Sequence, residues 1–203
     1  DFGYSAWGLL RDVMCEDFYV SDTQYDYFTP FETCVSLDNV ISDALYYYYY
    51  KFLNNPNNLI RSIDLNKADL TTKQCVGVAH VYRALIFLDM ARFFEFMKTG
   101  IAKLDNEAAA NKVYGLTVPI VTEKTTEAEA ANNPRAPYQT MYKYILDELE
   151  TADKLLSGYT RPSKDLPNTA VVAGLKARTW LELGTHFEKY PADLAAFTAV
   201  RPD

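Results

Sequence analysis

The segment from Thr72 to about Met97 places the strongest constraint on the fold. Its apolar residues fall on almost every side of a helix with 3.6 residues per turn. Polar residues in the range 69–72 offer caps for the start of this helix. A helix that is apolar nearly all round is stable in water only when other helices surround it. We therefore expect it to be buried inside an all-α domain.

Further helices are predicted where apolar residues recur at three- and four-residue steps. They cover residues 4–20, a segment from Val40 to Leu53, a segment from Pro137 that Gly158 stops, a segment capped by Asn168 or Thr169 that Gly184 ends, and a last one from about Pro191. After Leu53, a proline within a resumed apolar pattern indicates either a kink or a new first turn.

The helices are expected to form antiparallel pairs. Ala170, Ala173, Ala177 and Leu181 make a stripe that permits close helix approach, and the next helix carries an aromatic residue and alanines. This pattern resembles a degenerate tetratricopeptide repeat (TPR). We expect one all-α, TPR-like domain over residues 1–203, with a long irregular insert at about residues 99–136. Such long connections in compact domains are often functional.

Charged residues on the buried helix need partners. Asp89 and Arg92 are three residues apart, as are Arg92 and Glu95, so both pairs fit adjacent turns. Arg83 lies on a different sector of the helix, and we expect its partner on another helix.

Net charge restricts the possible ligands. The formal net charge of −7 argues against binding of nucleic acid and of a generic anionic membrane surface, since both need a basic face. A neutral ligand is compatible with this charge. No apolar run reaches the ~20 residues that a membrane-spanning helix needs.

Motifs for catalysis or metal binding are missing from the sequence. His80 and His186 are the only histidines, and neither belongs to an H-E-x-x-H pattern. The three cysteines show no metal-ligand spacing, and Cys75 is five residues from His80, which is off one helix face. Glu148 and Glu150 are interpreted as part of a solvated helix face. We expect a protein that is not an enzyme, with no metal and no cofactor.

Aromatic residues are abundant, with sixteen tyrosines and eleven phenylalanines. They indicate either aromatic core packing or exposed rings for ligand stacking. Five consecutive tyrosines, Tyr46 to Tyr50, cover the whole circumference of a helix. Tyr46, Tyr49 and Tyr50 would share one face, while Tyr47 and Tyr48 point elsewhere. Either neighbours surround this helix, or one of its faces lines a groove.

A loop predicted at residues 21–37 mixes aromatic and polar groups. Sugars present C–H faces that pack on rings, and hydroxyls that pair with polar side chains. The loop is either folded onto the domain or available to a sugar. The candidate ligand contacts are Tyr25, Asp26, Tyr27, Phe28, Tyr47 and Tyr48.

A set of motifs in fixed order resembles the N-terminal portion of the SusD-like (SusD/RagB) glycan-binding lipoproteins of Bacteroidetes-type outer membranes. The motifs are Arg83-Ala84, Phe87, Met90 and Arg92; Val118-Pro119-Ile120-Val121; Pro134-Arg135; Tyr142, Ile145, Leu149 and Ala152; and Ala177-Arg178, Leu181 and Gly184. The structural markers are Arg83, Asp89, Arg92, Pro119, Arg135, Tyr142, Ala177 and Gly184. In the family, the motif that residues 118–121 match forms a strand, so the resemblance implies a strand there. The sequence departs from the pattern after Arg92, where residues 94–96 replace a usual glycine and extend the predicted helix.

The resemblance implies a non-catalytic, surface-exposed lipoprotein of the outer membrane. It would bind an oligosaccharide or polysaccharide for a SusC-like TonB-dependent transporter, with the TPR-like helices as scaffold and loops as ligand contacts. A lipidated cysteine would lie upstream of Asp1, since this chain resembles only part of the longer family members. Alternatively, the chain is a TPR-like interaction scaffold that docks a membrane transporter without binding glycan.

Overall fold

The computed structural model describes residues 8, 12, 40–189 and 192–200. The chain divides into two compact units, Asp1–Lys51 and Phe52–Asp203. Among the described residues, the helices are α1 (Val40–Ser62), α2 (Leu70–Phe94), α3 (Ala102–Ala110), α4 (Glu127–Ala131), α5 (Tyr138–Leu155), α6 (Thr169–Lys189) and α7 (Ala192–Val200). The described residues contain no strand, which confirms the all-α prediction. None of their helices is both long and apolar enough to cross a membrane.

Helix α1 continues through Pro56 to Ser62, so the predicted end at Leu53 is wrong. A proline inside a helix removes one backbone hydrogen bond. Tertiary contacts hold the turn that follows it. Asn57 is buried, donates a hydrogen bond to the carbonyl of Val121 and accepts one from Arg83. These contacts anchor the C-terminal half of α1.

Helix α2 begins as predicted and ends earlier than predicted. The Asp69 carboxylate caps it by accepting a hydrogen bond of 2.7 Å from the Thr72 amide. The helix ends at Phe94, because Glu95 takes an extended conformation (ψ 125°) and its side chain pairs with His186 of α6. The prediction that this helix continues beyond Phe94, through residues 95–97, is therefore wrong.

The core of the second unit lies between α2 and α5. The predicted apolar stripe of α5 is confirmed: Met141, Ile145, Leu149, Ala152 and the following Leu156 are all buried. Burial of each large aliphatic side chain contributes roughly 1.5–3 kcal/mol. Helix α2 comes closest to the end of α5 at Gly77, where an added Cβ would lie 2.9 Å from Leu156 Cγ. Gly158 lies in the turn after α5, and its φ of +72° is a left-handed conformation that glycine adopts readily at a helix end.

Helix α6 packs through a different face from the one predicted. Its buried residues are Val172, Leu175, Thr179, Leu183 and His186. The predicted stripe is the outer face, where Leu181 is 72% exposed. Larger side chains bury more apolar area than alanines do, so they face the core. The helix also runs past Gly184 to Lys189, so the predicted end there is wrong. The TPR-like pairing stays a prediction.

The insert over residues 99–136 is irregular, as predicted, apart from α3 and α4. A capping box between Thr126 and Glu129 starts the short α4. The expected strand at residues 118–121 is wrong, because these residues form no strand. The nearest β-type pairing is a single antiparallel bridge between Leu116 and Pro137. Side chains take over the pairing of its carbonyls: Asn133 donates to Ile120, as Asn57 does to Val121.

Candidate functional site

A buried ion network centres on Arg83, which is 2% exposed. Its Nε and Nη2 atoms donate to the two carboxylate oxygens of Glu148, each at 2.7 Å. Its Nη1 atom donates to Glu123 Oε2 at 2.5 Å and to Asn57 Oδ1 at 3.0 Å. The predicted partner of Arg83 on another helix is thereby confirmed. The interpretation of Glu148 as solvated is wrong, because this residue is only 7% exposed.

Glu148 also accepts from His80, with 2.7 Å between Nδ1 and Oε2. Burial opposes ionisation of Glu148, but hydrogen bonds from His80 and Arg83 outweigh it and lower its pKa. Burial likewise opposes ionisation of Glu123, and the hydrogen bond from Arg83 lowers the pKa of that carboxyl. Arg83 thus stabilises the ionised form of both carboxylates in the network.

The network connects the insert to three helices. Asn57 belongs to α1, His80 and Arg83 to α2, Glu148 to α5 and Glu123 to the insert. A buried charge with all its hydrogen bonds satisfied has little capacity left for a ligand. We interpret this cluster as scaffold.

Arg135 holds the insert at the end of α2. Its Nε atom donates to the Thr117 carbonyl at 2.6 Å, and its Nη2 atom donates to the carbonyls of Phe94 and Leu116 at 2.6 and 2.8 Å. Phe94 is the last residue of α2, so this guanidinium satisfies one of the carbonyls that a helix end leaves open. Pro119, in the adjacent segment, is half-buried.

The other markers serve helix packing or lie at the surface. Asp89 and Arg92 both pair with α6: Asp89 lies 3.7 Å from Arg178, and Arg92 lies 2.7 Å from Glu182. Tyr142 is buried in the core, and burial raises its pKa. Ala177 and Gly184 are exposed on α6.

The tyrosine run forms a partly exposed aromatic surface on α1. Tyr47 is 57% exposed, Tyr48 is half-buried, and their rings meet edge to face at 5.3 Å between centroids. Lys51 Nζ lies 5.6 Å from the Tyr47 centroid. Tyr49 is buried, while Tyr46 packs on Tyr50 and stays partly exposed. Only part of the run is therefore available for stacking. Tyr25, Asp26, Tyr27 and Phe28 lie outside the described residues.

A pocket of about 280 Å³ opens in the second unit. It lies where the end of α2 meets the insert, the start of α5 and helices α6 and α7, and it is lined by Glu95, Phe96, Met97, Lys98, Tyr114, Gly115, Pro137, Tyr138, Gln139, His186 and Asp193. Glu95 Oε1 and His186 Nε2 are 2.6 Å apart, and both side chains are buried. The Tyr138 ring stacks on the His186 ring at 3.7 Å with an angle of 15°.

The sequence did not predict this pocket. His186 was interpreted only as a histidine outside any catalytic motif. The residues of the pocket come from segments far apart in the chain, and no spacing rule connects them. The nearest signal was the departure from the family pattern after Arg92, which places Glu95 at the pocket. In the described part of the chain, no cluster of three or more histidine, cysteine, aspartate or glutamate residues could hold a metal ion.

Comparison with known proteins identifies the family. The model of a SusD-like family, described as "Starch-binding associating with outer membrane", matches residues 10–181. No curated protein sequence matches the chain.

Two solved structures share the fold. A SusD-like carbohydrate binding protein from Bacteroides vulgatus is 20% identical with a TM-score of 0.66, and the match covers 98% of this chain and 40% of that one. A SusD-like protein from Bacteroides fragilis is 17% identical with a TM-score of 0.58, with coverage of 97% and 37%. This chain therefore spans well under half the length of either structure. The family match extends over most of the sequence, and the chain belongs to the SusD-like family.

Proposed function

We propose that this protein binds an oligosaccharide or polysaccharide without cleaving it, at the surface of the outer membrane, and passes it to a SusC-like TonB-dependent transporter. The observation that carries the proposal is the family match over residues 10–181. The net charge of −7 is compatible with a neutral glycan. Attachment to the membrane through a lipidated cysteine upstream of residue 1 is part of the same proposal.

Aromatic stacking on α1 supplies the first ligand contacts in this proposal. Tyr47 and Tyr48 offer ring surface beside Lys51, whose ammonium can pair with sugar hydroxyls. Tyr25, Asp26, Tyr27 and Phe28 remain proposed contacts from the preceding loop. In this proposal, the ion network around Arg83 and the contacts of Arg135 are part of the scaffold of the second unit.

Affinity electrophoresis of the full-length protein tests glycan binding. Gels containing soluble starch and a panel of other neutral polysaccharides should retard the wild type in at least one case. We expect Tyr47→Ala to weaken this retention about 2- to 10-fold, since an exposed ring contact contributes roughly 0.5–1.5 kcal/mol. Tyr47→Phe is the matched control and should retain binding, because it keeps the ring. If none of the polysaccharides retards the wild type, the proposed function is wrong.

A second candidate function is a protein-interaction scaffold that docks the transporter and binds no glycan. The outer face of α6 favours it, because Trp180 and Leu181 are exposed next to small residues. Recovery of the transporter from solubilised membranes by the wild type but not by Leu181→Asp, without retention in any polysaccharide gel, would support this alternative. Equal recovery by both proteins would argue against a role for this face.

A further inference from the structure

The pocket beside Glu95 has chemistry that the scaffold does not use. Its deep wall is the stacked pair of Tyr138 and His186, and Tyr138 is 2% exposed. Tyr138 lines the pocket, and its hydroxyl oxygen is buried. Asp193 and Gln139 approach it, but neither reaches it with hydrogen-bond geometry, so this oxygen has no partner among the described residues. A buried polar group without a partner costs roughly 1–3 kcal/mol, which a polar ligand can recover.

The groups around that hydroxyl suit a ligand with several hydroxyls. Asp193 offers a carboxylate that accepts hydrogen bonds, and Gln139 offers an amide that both donates and accepts. Phe96 and Tyr114 are in contact at 5.7 Å between centroids and give the pocket an aromatic side. Polar groups on one side and rings on the other match a sugar, which has hydroxyls at its edge and C–H groups on its face.

Charge and volume narrow the class of ligand. The charged lining residues include two carboxylates, Glu95 and Asp193, and one ammonium, Lys98, so the pocket has no excess of positive charge to attract phosphates and other anions. The volume of about 280 Å³ lies just below the ~300–1,000 Å³ of drug-sized ligand pockets. The pocket therefore fits one sugar ring better than a folded chain of several sugar rings.

The larger depression of about 570 Å³ on the insert offers a weaker case. Its lining residues, which include Lys124, Glu129 and Asn132, contain no aromatic ring. It therefore lacks the surface on which a sugar face would pack.

We propose that the pocket between α2, α5 and α7 holds one neutral sugar ring of the bound glycan, with Tyr138, Gln139 and Asp193 as its polar contacts. This inference rests on the proposed glycan-binding function. It assigns to the helical scaffold a binding site in addition to the aromatic surface of α1.

Saturation-transfer NMR on the full-length protein tests the proposal directly. The probes are the methyl glycosides of glucose, galactose, mannose and N-acetylglucosamine. The wild type should show transfer to at least one of them. Tyr138→Phe keeps the ring stack and removes only the hydroxyl, so we expect affinity to fall about 2- to 10-fold. Asp193→Ala should weaken binding about 10-fold or more, since hydrogen bonds to charged groups are stronger.

Tyr144→Phe is the matched control. Tyr144 lies on the same helix, and its buried hydroxyl also has no partner with hydrogen-bond geometry, but it does not line the pocket. Its loss should leave glycoside binding unchanged. Gln139→Ala, at a half-buried position, provides a further variant if a core substitution unfolds the protein.

The outcomes separate this inference from the proposed function. Retention of the wild type in a polysaccharide gel, with no transfer to any glycoside or with equal transfer in Tyr138→Phe, Asp193→Ala and Gln139→Ala, would overturn the pocket assignment and leave glycan binding in place. Absence of polysaccharide retention would remove both. Binding of putrescine in place of every sugar would overturn the assignment in favour of a cation site. Selective loss in the three pocket variants would support it.

Discussion

Two buried histidine–carboxylate pairs in the second unit have different surroundings. His80 and Glu148 belong to the network in which Arg83 occupies both oxygens of the carboxylate. His186 and Glu95 lie against a pocket of about 280 Å³. The residue types are the same, but the space around them differs. A saturated pair fixes helices in place, whereas a pair beside open volume leaves neighbouring polar groups available for a ligand.

Removing Arg83, the cation that binds the carboxylate of the first pair, should have the largest effect. Arg83→Met leaves Glu148 and Glu123 in a buried site without their main hydrogen-bond donor, and we expect a loss of about 3–5 kcal/mol of unfolding free energy. Urea denaturation followed by circular dichroism measures it. The control is Arg92→Met, whose partly exposed pair with Glu182 should contribute about 1 kcal/mol or less. Equal losses in the two variants would contradict the assignment of the network as scaffold.

Acid should weaken the first pair in a defined range. The folded-state pKa values of Glu148 and Glu123 are lowered from 4.5, so the unfolded chain takes up their protons first. Their contribution to stability is complete above pH 4.5 and is lost as the pH falls through the lower folded-state values. Urea midpoints measured across this range should fall in the wild type. In Glu148→Gln the fall should be shallower, and an unchanged slope would argue against this source of acid sensitivity.

The second pair should matter less for stability. Glu95→Gln keeps the shape of the side chain and replaces a charge-assisted hydrogen bond to His186, so we expect a loss of about 1–3 kcal/mol. Thermal and urea unfolding measure it, with Glu107→Gln on the exposed side of α3 as a control that should change stability by less than about 0.5 kcal/mol. A loss as large as that of Arg83→Met would show that both pairs are primarily structural, and would weaken the comparison.

The apolar patterns predicted much of the fold. The stripe of α5 and the nearly all-round apolar character of α2 lead directly to their central packing, because helical period determines which residues can be buried together. The packing face of α6 was not predictable in the same way. Alanine spacing permits a close contact, but the larger side chains at Val172 and Leu183 bury more area and face the core instead.

The candidate sites were less predictable. The helix circumference left open whether neighbours surround Tyr46–Tyr50 or one face of the run is exposed, and in the structure Tyr47 is the most exposed of these rings. The pocket was not anticipated, because Tyr138, His186 and Asp193 have no common sequence motif. Its volume depends on where α2 ends, and that end depends on the pairing of Glu95 with a residue of another helix.

By itself, the sequence determined the helical class, the order of the motifs and the family, since these follow from local periodicity and from residues at characteristic spacings. The tertiary structure alone decided that Glu148 is buried as the partner of Arg83, that α6 presents Leu181 outward, and that Tyr138 faces a cavity. These outcomes depend on contacts between distant segments. The free energy of such contacts is set by burial and by satisfied hydrogen bonds, which no local pattern specifies.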